Sequence, residues 1–288
     1  MNSFPAPAKI NLHLQIIRTL ENGYHKLDTS FVYVDVEDEL QIAPAETLSV
    51  TCSNPKFNGT DNLVYQVLDA FRQKYEISSG LSIHVEKHLP DQAGLGGGSS
   101  DAATALMIAN DLWNLNLATE RLITFATPYG ADIPCFLFGK ASLAGGVGEQ
   151  LVDYPDSLPE KAVLLAYPGI GLSTPAVFLH YDNLTKNTGS LTRLSRADTI
   201  RDLSGRAIGH NDLEANACAI SSEVEKLLEQ MRKLSDRAWM SGSGSTCVAL
   251  FTDQQQAESA ATLLIEKKLA TWTHIGKLLK EHPLRKRL

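Results

Sequence analysis

No stretch of the 288-residue sequence approaches the roughly 18 consecutive apolar residues that a membrane-spanning helix needs, so a helical membrane protein is excluded. The first residues, Met1-Asn2-Ser3-Phe4-Pro5-Ala6-Pro7, lack both a basic start followed by an apolar stretch and an Arg-rich amphipathic pattern, and nothing in them directs export. There is no C-x-x-C pair. The four cysteines, Cys52, Cys135, Cys218 and Cys247, lie far apart, which argues against a structural zinc site and fits free thiols in a reducing, cytoplasmic setting. Positive charge is also in deficit: 26 lysines and arginines face 33 acidic residues, and the formal net charge of -7 speaks against a general polyanion binder. With no basic, aromatic stripe either, a nucleic-acid partner is not expected. The basic end, Arg285-Lys286-Arg287, reads as a solvated tail, and neither an internal repeat nor a low-complexity tract interrupts the chain.

What the chain does contain is 43% hydrophobic residues, enough for a sizeable core in one large or two ordinary domains. Ala8, Ile10, Leu12, Leu14 and Ile16 alternate with Lys9, Asn11, His13 and Gln15, a period of two that predicts a half-buried strand with Lys9 and Asn11 on the same face. The turn signal Asn22-Gly23 and the run Phe31-Val32-Tyr33-Val34 extend this to an antiparallel pair. A helix is expected from Asn62 to Tyr75 and a strand over Leu81, Ile83 and Val85. Beyond the turn-rich segment Asp153-Tyr154-Pro155-Asp156-Ser157-Leu158-Pro159, strands are expected at Ala162 to Ala166 and Thr246 to Phe251, and helices at Ser221 to Leu234 and Gln255 to Lys267. That turn-rich segment sets a domain boundary, with 1–152 before it and 153–288 after it.

The strongest chemical signal is Pro90-Asp91-Gln92-Ala93-Gly94-Leu95-Gly96-Gly97-Gly98-Ser99-Ser100-Asp101. Four glycines in five positions let backbone N–H groups crowd an anion, and Ser99-Ser100-Asp101 are expected to cap a helix whose N-terminus favours negative charge. Side chains placed at Gly96 or Gly97 are expected to fill the phosphate space. The spacing is neither that of a P-loop nor that of the dinucleotide fingerprint. A second loop, Ser241-Gly242-Ser243-Gly244-Ser245, leads into a strand and offers further backbone donors at a site between domains. His84 and His88 sit about 13 Å apart on a strand and read as solvated edge residues, and His13 as a structural one. Asp132, in Gly130-Ala131-Asp132-Ile133-Pro134, is by itself an ordinary turn aspartate.

Three segments taken together, Pro7-Ala8-Lys9-Ile10-Asn11-Leu12, Ala93 to Ala103 and Ser241 to Ser245, resemble in order the three motifs of the GHMP kinases. Asn22-Gly23-Tyr24-His25-Lys26-Leu27 and Gly130 to Pro134 look like the branch of that superfamily acting on a cytidine diphosphate-linked methylerythritol. The resemblance implies an α+β two-domain GHMP kinase fold: an N-terminal domain like the second domain of ribosomal protein S5, a ferredoxin-like C-terminal domain, and a site in the cleft between them. It implies ATP and Mg²⁺ as cofactors and transfer of a phosphoryl group to the 2-hydroxyl of that acceptor, a step of non-mevalonate isoprenoid precursor synthesis. Asp132 is then the catalytic base and Lys9 its charge partner. Pro90, Asp91, Gln92, Ala93, Gly94, Leu95, Gly96, Gly97, Gly98, Ser99 and Ser100 cradle the nucleotide phosphates, and Asn11, Tyr24, His25 and Thr174 hold the acceptor. The metal ligands are left open. Asp91-Gln92 depart from the small or apolar pair usual at the loop entrance. The alternatives are a GHMP kinase for mevalonate or homoserine, which would not share the Tyr24-His25 segment, and a non-catalytic nucleotide-binding sensor of the same fold.

Overall fold

The computed structural model describes residues 2–188 and 208–286; Arg287, in the basic tail, lies outside them. The alternation near the N-terminus belongs to a long hairpin, β1 (Asn2–Thr19) and β2 (His25–Ala45), joined at Asn22-Gly23. β3 (Ser49–Cys52) and β4 (Gly80–Glu86) flank α1 (Leu63–Lys74), which Asn62 caps by accepting from the Val64 N–H. Then come α2 (Gly97–Leu112), α3 (Thr119–Ala126), α4 (Ile133–Phe138), β5 (Ser142–Gly145) and β6 (Gln150–Asp153). The later elements are β7 (Ala162–Tyr167), α5 (Thr174–Thr188), β8 (His210–Asn211), α6 (Glu214–Ile220), α7 (Ser222–Leu234) and β9 (Ala238–Met240). β10 (Cys247–Phe251), α8 (Gln254–Glu266), β11 (Trp272–Gly276) and β12 (Leu278–Leu279) complete the chain.

Two sheets organise these elements. The first runs β3-β4-β2-β1-β8; β5 and β12 also pair with β2, and β6 pairs with β5. The second is antiparallel in the order β11-β7-β10-β9, the split β-α-β arrangement of a ferredoxin-like domain. Ala8, Ile10 and Leu12 of β1 and Val32 and Val34 of β2 pack against Val163, Leu165, Trp239, Val248 and Leu250, so the sheets face each other across one apolar layer. Helices α1 to α4 cover the far side of the first sheet, and α6 to α8 that of the second.

β1 departs from the half-buried strand expected of it. Lys9, Asn11 and His13 are as buried as their apolar neighbours, at 3%, 3% and 5% exposure. The polar face is covered by chain from the other end of the molecule: the Asn11 N–H donates to Ser241 Oγ at 3.2 Å, and the Trp239 indole donates to the Asn11 carbonyl at 2.8 Å. A lysine buried to this degree needs acceptors, and those acceptors define the site.

Candidate active site

Lys9 has two. Its Nζ donates to Asn11 Oδ1 at 2.9 Å and lies 3.3 Å from Asp132 Oδ2, with the Phe31 ring centroid 5.3 Å away. Asp132 occupies the N-cap position of α4 but makes no capping bond, so its carboxylate is directed at Lys9 rather than at its own helix. The side chain is 35% exposed, giving one buried cation beside one carboxylate partly open to solvent.

The glycine loop meets this pair at the start of α2. The helix begins at Gly97 with Gly96 as N-cap in the left-handed region (φ +73°) and no side-chain cap bond. Ser99, Ser100 and Asp101 therefore lie inside the first turn rather than capping it, because glycine alone takes the left-handed entry without strain. Every loop carbonyl from Gln92 to Leu95 is bonded to protein: Gln92 accepts from Leu172 N–H, Ala93 from Thr246 N–H, Gly94 from Ser241 Oγ and Leu95 from Lys9 N–H. With the acceptors pinned inward, the first-turn N–H groups of Gly97, Gly98 and Ser99 remain without an intrahelical acceptor and form an anion cradle.

The glycines divide this task in a way that differs from expectation. A Cβ on Gly96 would meet the Phe136 ring at 2.9 Å and Lys9 Cγ at 3.1 Å, and one on Gly97 would meet Lys87 Nζ at 3.2 Å and Asp38 Oδ2 at 3.3 Å, so both face protein. Of the four loop glycines only Gly98 faces open space. Ala93, Leu95 and Ser100 are buried; the carbonyls of the first two are held by Thr246 and Lys9, and the Ser100 N–H bonds the Gly96 carbonyl at 2.8 Å. Ser99 Oγ lies 3.6 Å from where a Gly130 Cβ would stand, which brings the loop to the Asp132 turn. At the loop entrance Pro90 is half-buried, Gln92 is exposed, and Asp91 turns to Lys56, 3.5 Å away. Asp91 and Pro90 line a cavity of about 490 Å³ whose wall also includes Phe57, Lys87, His88 and Trp272.

Beneath the cradle lies a charge cluster that the sequence did not reveal. Lys87 bonds Asp38 and, at 2.9 Å, Asp101; Asp38 also accepts the His88 and Leu89 N–H groups. Against the lowering effect of burial, the two carboxylates raise the Lys87 ammonium above its ordinary range. Burial and the neighbouring Asp38 push Asp101 up to about 7, although Lys87 opposes this.

The remaining predicted residues gather around α5. Thr174, at its first position, shares a hydrogen bond of 2.7 Å with Ser243 Oγ of the Ser241-Ser245 loop. One turn on, Phe178 stacks on the His25 ring with centroids 4.7 Å apart, and another turn on, Asp182 meets His25 Nε2 at 2.8 Å. A carboxylate only accepts, so His25 Nε2 carries a proton there. Tyr24 stands beside it, 62% exposed. Phe178 and Asp182 were not singled out in the sequence; their i+4 and i+8 spacing from Thr174 on a helix is the signal that places them on its face. Asn211 was also missed: its Nδ2 donates to the carbonyls of Met240 and Gly242, both at 2.7 Å, and so pins the same loop. The Asn11 amide bonds Lys9 through its oxygen at 2.9 Å and Thr29 through its nitrogen at 2.8 Å. Among the other histidines, His84 bonds Thr51 at 2.9 Å, His88 bonds the Glu37 carbonyl at 3.1 Å, and His13 stacks on His210. Among the described residues no group of three or more His, Cys, Asp or Glu side chains is placed to hold a metal ion.

The GHMP kinases N terminal domain matches residues 62–140, and the GHMP kinases C terminal matches residues 189–268. A 4-diphosphocytidyl-2-C-methyl-D-erythritol kinase of Alcanivorax borkumensis is 36% identical over 278 residues, covering 94% of this chain and 88% of the relative. A crystal structure of 4-(cytidine 5'-diphospho)-2C-methyl-D-erythritol kinase superposes with TM-score 0.76 at 30% identity, covering 96% of this chain and 99% of that one. A mevalonate kinase of L. major, solved with R-mevalonate, superposes with TM-score 0.70 at 14% identity over 98% of this chain and 96% of that one, a likeness of fold alone. The chain belongs to the GHMP kinases, a family of ATP-dependent phosphotransferases, and within them to the 4-diphosphocytidyl-2-C-methyl-D-erythritol kinases.

Proposed function

We propose that the chain transfers the γ-phosphoryl group of ATP to the 2-hydroxyl of 4-diphosphocytidyl-2-C-methyl-D-erythritol, a step of non-mevalonate isoprenoid precursor synthesis in the cytoplasm. The observation that carries the reading is the 3.3 Å pair of Lys9 and Asp132 set against the amide cradle at the start of α2. Phosphoryl transfer asks mainly for positioning and for stabilisation of spread negative charge, and both are provided there. Asp132 takes the proton of the acceptor hydroxyl as its oxygen bonds to phosphorus and ADP leaves. Lys9, 3.3 Å from that carboxylate, donates to the oxygens around the reacting phosphorus.

The residues at the loop fit a nucleotide-borne Mg²⁺, which keeps several waters and takes few protein ligands. The Ser99 hydroxyl and the Asp132 carboxylate are the oxygen donors on hand, and the ion, when bound, neutralises phosphate charge. The cavity beside the loop entrance, with Phe57 and Trp272 in its wall, suits the purine. The acceptor's cytosine belongs at the other end, between Tyr24 and Phe178, with the Asp182-oriented His25 at its edge. Thr174, one turn before Phe178, sets the spacing between that end and the transfer centre.

The division at 152/153 is supported by the change of sheets, β6 ending the first at Asp153 and β7 opening the second at Ala162, although β8 and β12 return to the first. A cytoplasmic setting agrees with free cysteines at all four positions and with the lack, among described residues, of a helix long and apolar enough to cross a membrane. An ADP-release assay with the cytidyl acceptor, mevalonate and homoserine tests the function. Turnover should be confined to the first, and a preference for either of the others would overturn the assignment.

A further inference from the structure

We propose that Thr29 is a positioning residue for phosphoryl transfer: its hydroxyl locks the Asn11 amide in the one orientation that holds the Lys9 ammonium toward Asp132. The inference rests on the reading of Lys9 and Asp132 as the catalytic pair.

Thr29 lies on β2, wholly buried. The β1–β2 register slips by one residue between Asn11 and His13, a β-bulge of the kind that re-aims side chains beside active sites. At this slip the Thr29 hydroxyl meets the His13 carbonyl at 2.5 Å and Asn11 Nδ2 at 2.8 Å. The carbonyl has no proton to give, so the Thr29 proton goes to it. The hydroxyl oxygen is left only as an acceptor, and the group facing it must be the NH₂ of Asn11.

The other end of the amide faces an independent constraint with the same answer. Lys9 Nζ has donors and no acceptor, so the atom 2.9 Å from it must be the Asn11 oxygen. A reversed amide would set NH₂ against the ammonium and a carbonyl against the hydroxyl lone pairs, losing both bonds in a site where Lys9 and Asn11 are each 3% exposed. With the amide fixed, one ammonium proton is held by Asn11, and the ammonium is kept on the side where Asp132 stands at 3.3 Å. Thr29 touches neither substrate site, so its effect must pass through Asn11 and Lys9.

The test uses the whole enzyme with ATP and the cytidyl acceptor. Thr29→Val keeps the shape and removes the hydroxyl; kcat should fall about 5- to 100-fold while both KM values stay within about threefold. Thr29→Ser restores the hydroxyl and should recover kcat to within about threefold of wild type. In an Asn11→Ala background, Thr29→Val should lower kcat no further, because the residue it acts through is gone. An undiminished kcat in Thr29→Val, a loss confined to KM, or an equal loss with and without Asn11 would overturn the role. Lys9→Met separates the two readings: its failure to lower kcat overturns the catalytic pair and Thr29 with it, whereas a large loss there beside an unchanged Thr29→Val removes the Thr29 role alone. Should the valine variant not fold, the wild-type protein decides by NMR. A carbonyl-held Thr29 hydroxyl proton exchanges slowly with water and shows a cross-peak to the Asn11 amide protons, and rapid exchange without that cross-peak overturns the proposal.

Discussion

Two glycines two positions apart should respond to substitution with opposite signs. Gly98 has ordinary helical backbone and open space around its missing Cβ, so alanine there replaces the poorer helix former by the best one and should add about 0.5–1 kcal/mol of stability, or a rise in Tm of about 1–3 °C. A helical Cβ leans toward the N-terminus of its helix, which at Gly98 is the direction of the amide cradle. The added methyl should hold phosphate off the N–H groups, each such ion-to-amide bond being worth about 1.5–3 kcal/mol, so a non-hydrolysable ATP analogue should bind about 10- to 150-fold more weakly. Gly96 is the converse. Its left-handed φ costs an L-residue about 1–2 kcal/mol, and the Cβ would stand 2.9 Å from the Phe136 ring, so Gly96→Ala should lose about 2–4 kcal/mol of stability. Differential scanning calorimetry gives the Tm shifts, and titration calorimetry with the analogue gives the affinities. Gly98→Ala binding the analogue as well as wild type would show that the phosphates do not lie at this helix start.

Removing the buried cation by Lys9→Met should lower kcat about 30- to 1,000-fold, the equivalent of about 2–4 kcal/mol: a full pair at 3.3 Å and an effective dielectric of about 20 amounts to about 5 kcal/mol, and the solvent reaching Asp132 screens part of it. A kcat within threefold of wild type in the coupled ADP-release assay would contradict the role. Tyr24→Ala should reduce kcat/KM for the cytidyl acceptor about 5- to 150-fold, the cost of one aromatic stack on a base, and leave ATP-analogue affinity unchanged; equal losses for both ligands would mean that Tyr24 is structural. Asp101, an acid whose pKa rises from 3.8 to about 7 on folding, contributes stability that is present at low pH and lost as pH climbs through that window. Asp101→Asn mimics the protonated form without titrating, so relative to wild type its Tm should rise between about pH 4 and pH 7, by at most about 1.4 kcal/mol of stability per unit; a pH-independent difference would show that Asp101 does not titrate there.

Where a residue's partners lie nearby in sequence, the pattern was legible. The period of two at Ala8 to Ile16 gave β1 and put Lys9 and Asn11 on one face, and helical spacing after Asn62 gave α1 to within a residue at each end. The glycine-rich loop revealed itself by composition, but the helix start was displaced: serine and aspartate are good caps by their side chains, whereas this entry is set by a left-handed backbone that only glycine takes easily. β1 read as half-buried because what covers its polar face, Ser241, is 230 residues away. The same distance problem hid Phe178 and Asp182. Each is an unremarked helix residue until folding sets α5 against a hairpin end 157 residues earlier, where Asp182 meets His25. Lys87, Asp38 and Asp101 were hidden for a further reason, because isolated charges in a sequence read as surface, and only tertiary structure shows that three of them share one buried site.

On the proposed reading, transfer and recognition occupy different elements, which bears on how such a fold changes acceptors. Lys9, Asp132 and the cradle are anchored on β1, α4 and α2, which pack into the first sheet and its helices. Tyr24, His25, Phe178 and Asp182 belong to the hairpin end and to α5, and neither Tyr24 nor Phe178 supplies a bond to the transfer pair. The Ser241–Ser245 loop joins the halves, with Ser241 bonded to Asn11 and Gly94 on one side and Ser243 to Thr174 on the other. Side chains at the hairpin end, Tyr24 and His25, and along α5 make none of the bonds that orient Lys9, whereas a displaced loop would move both ends of the site together. On that reading acceptor choice is the variable part of this architecture, and the loop bonded to both halves is the part that must stay fixed.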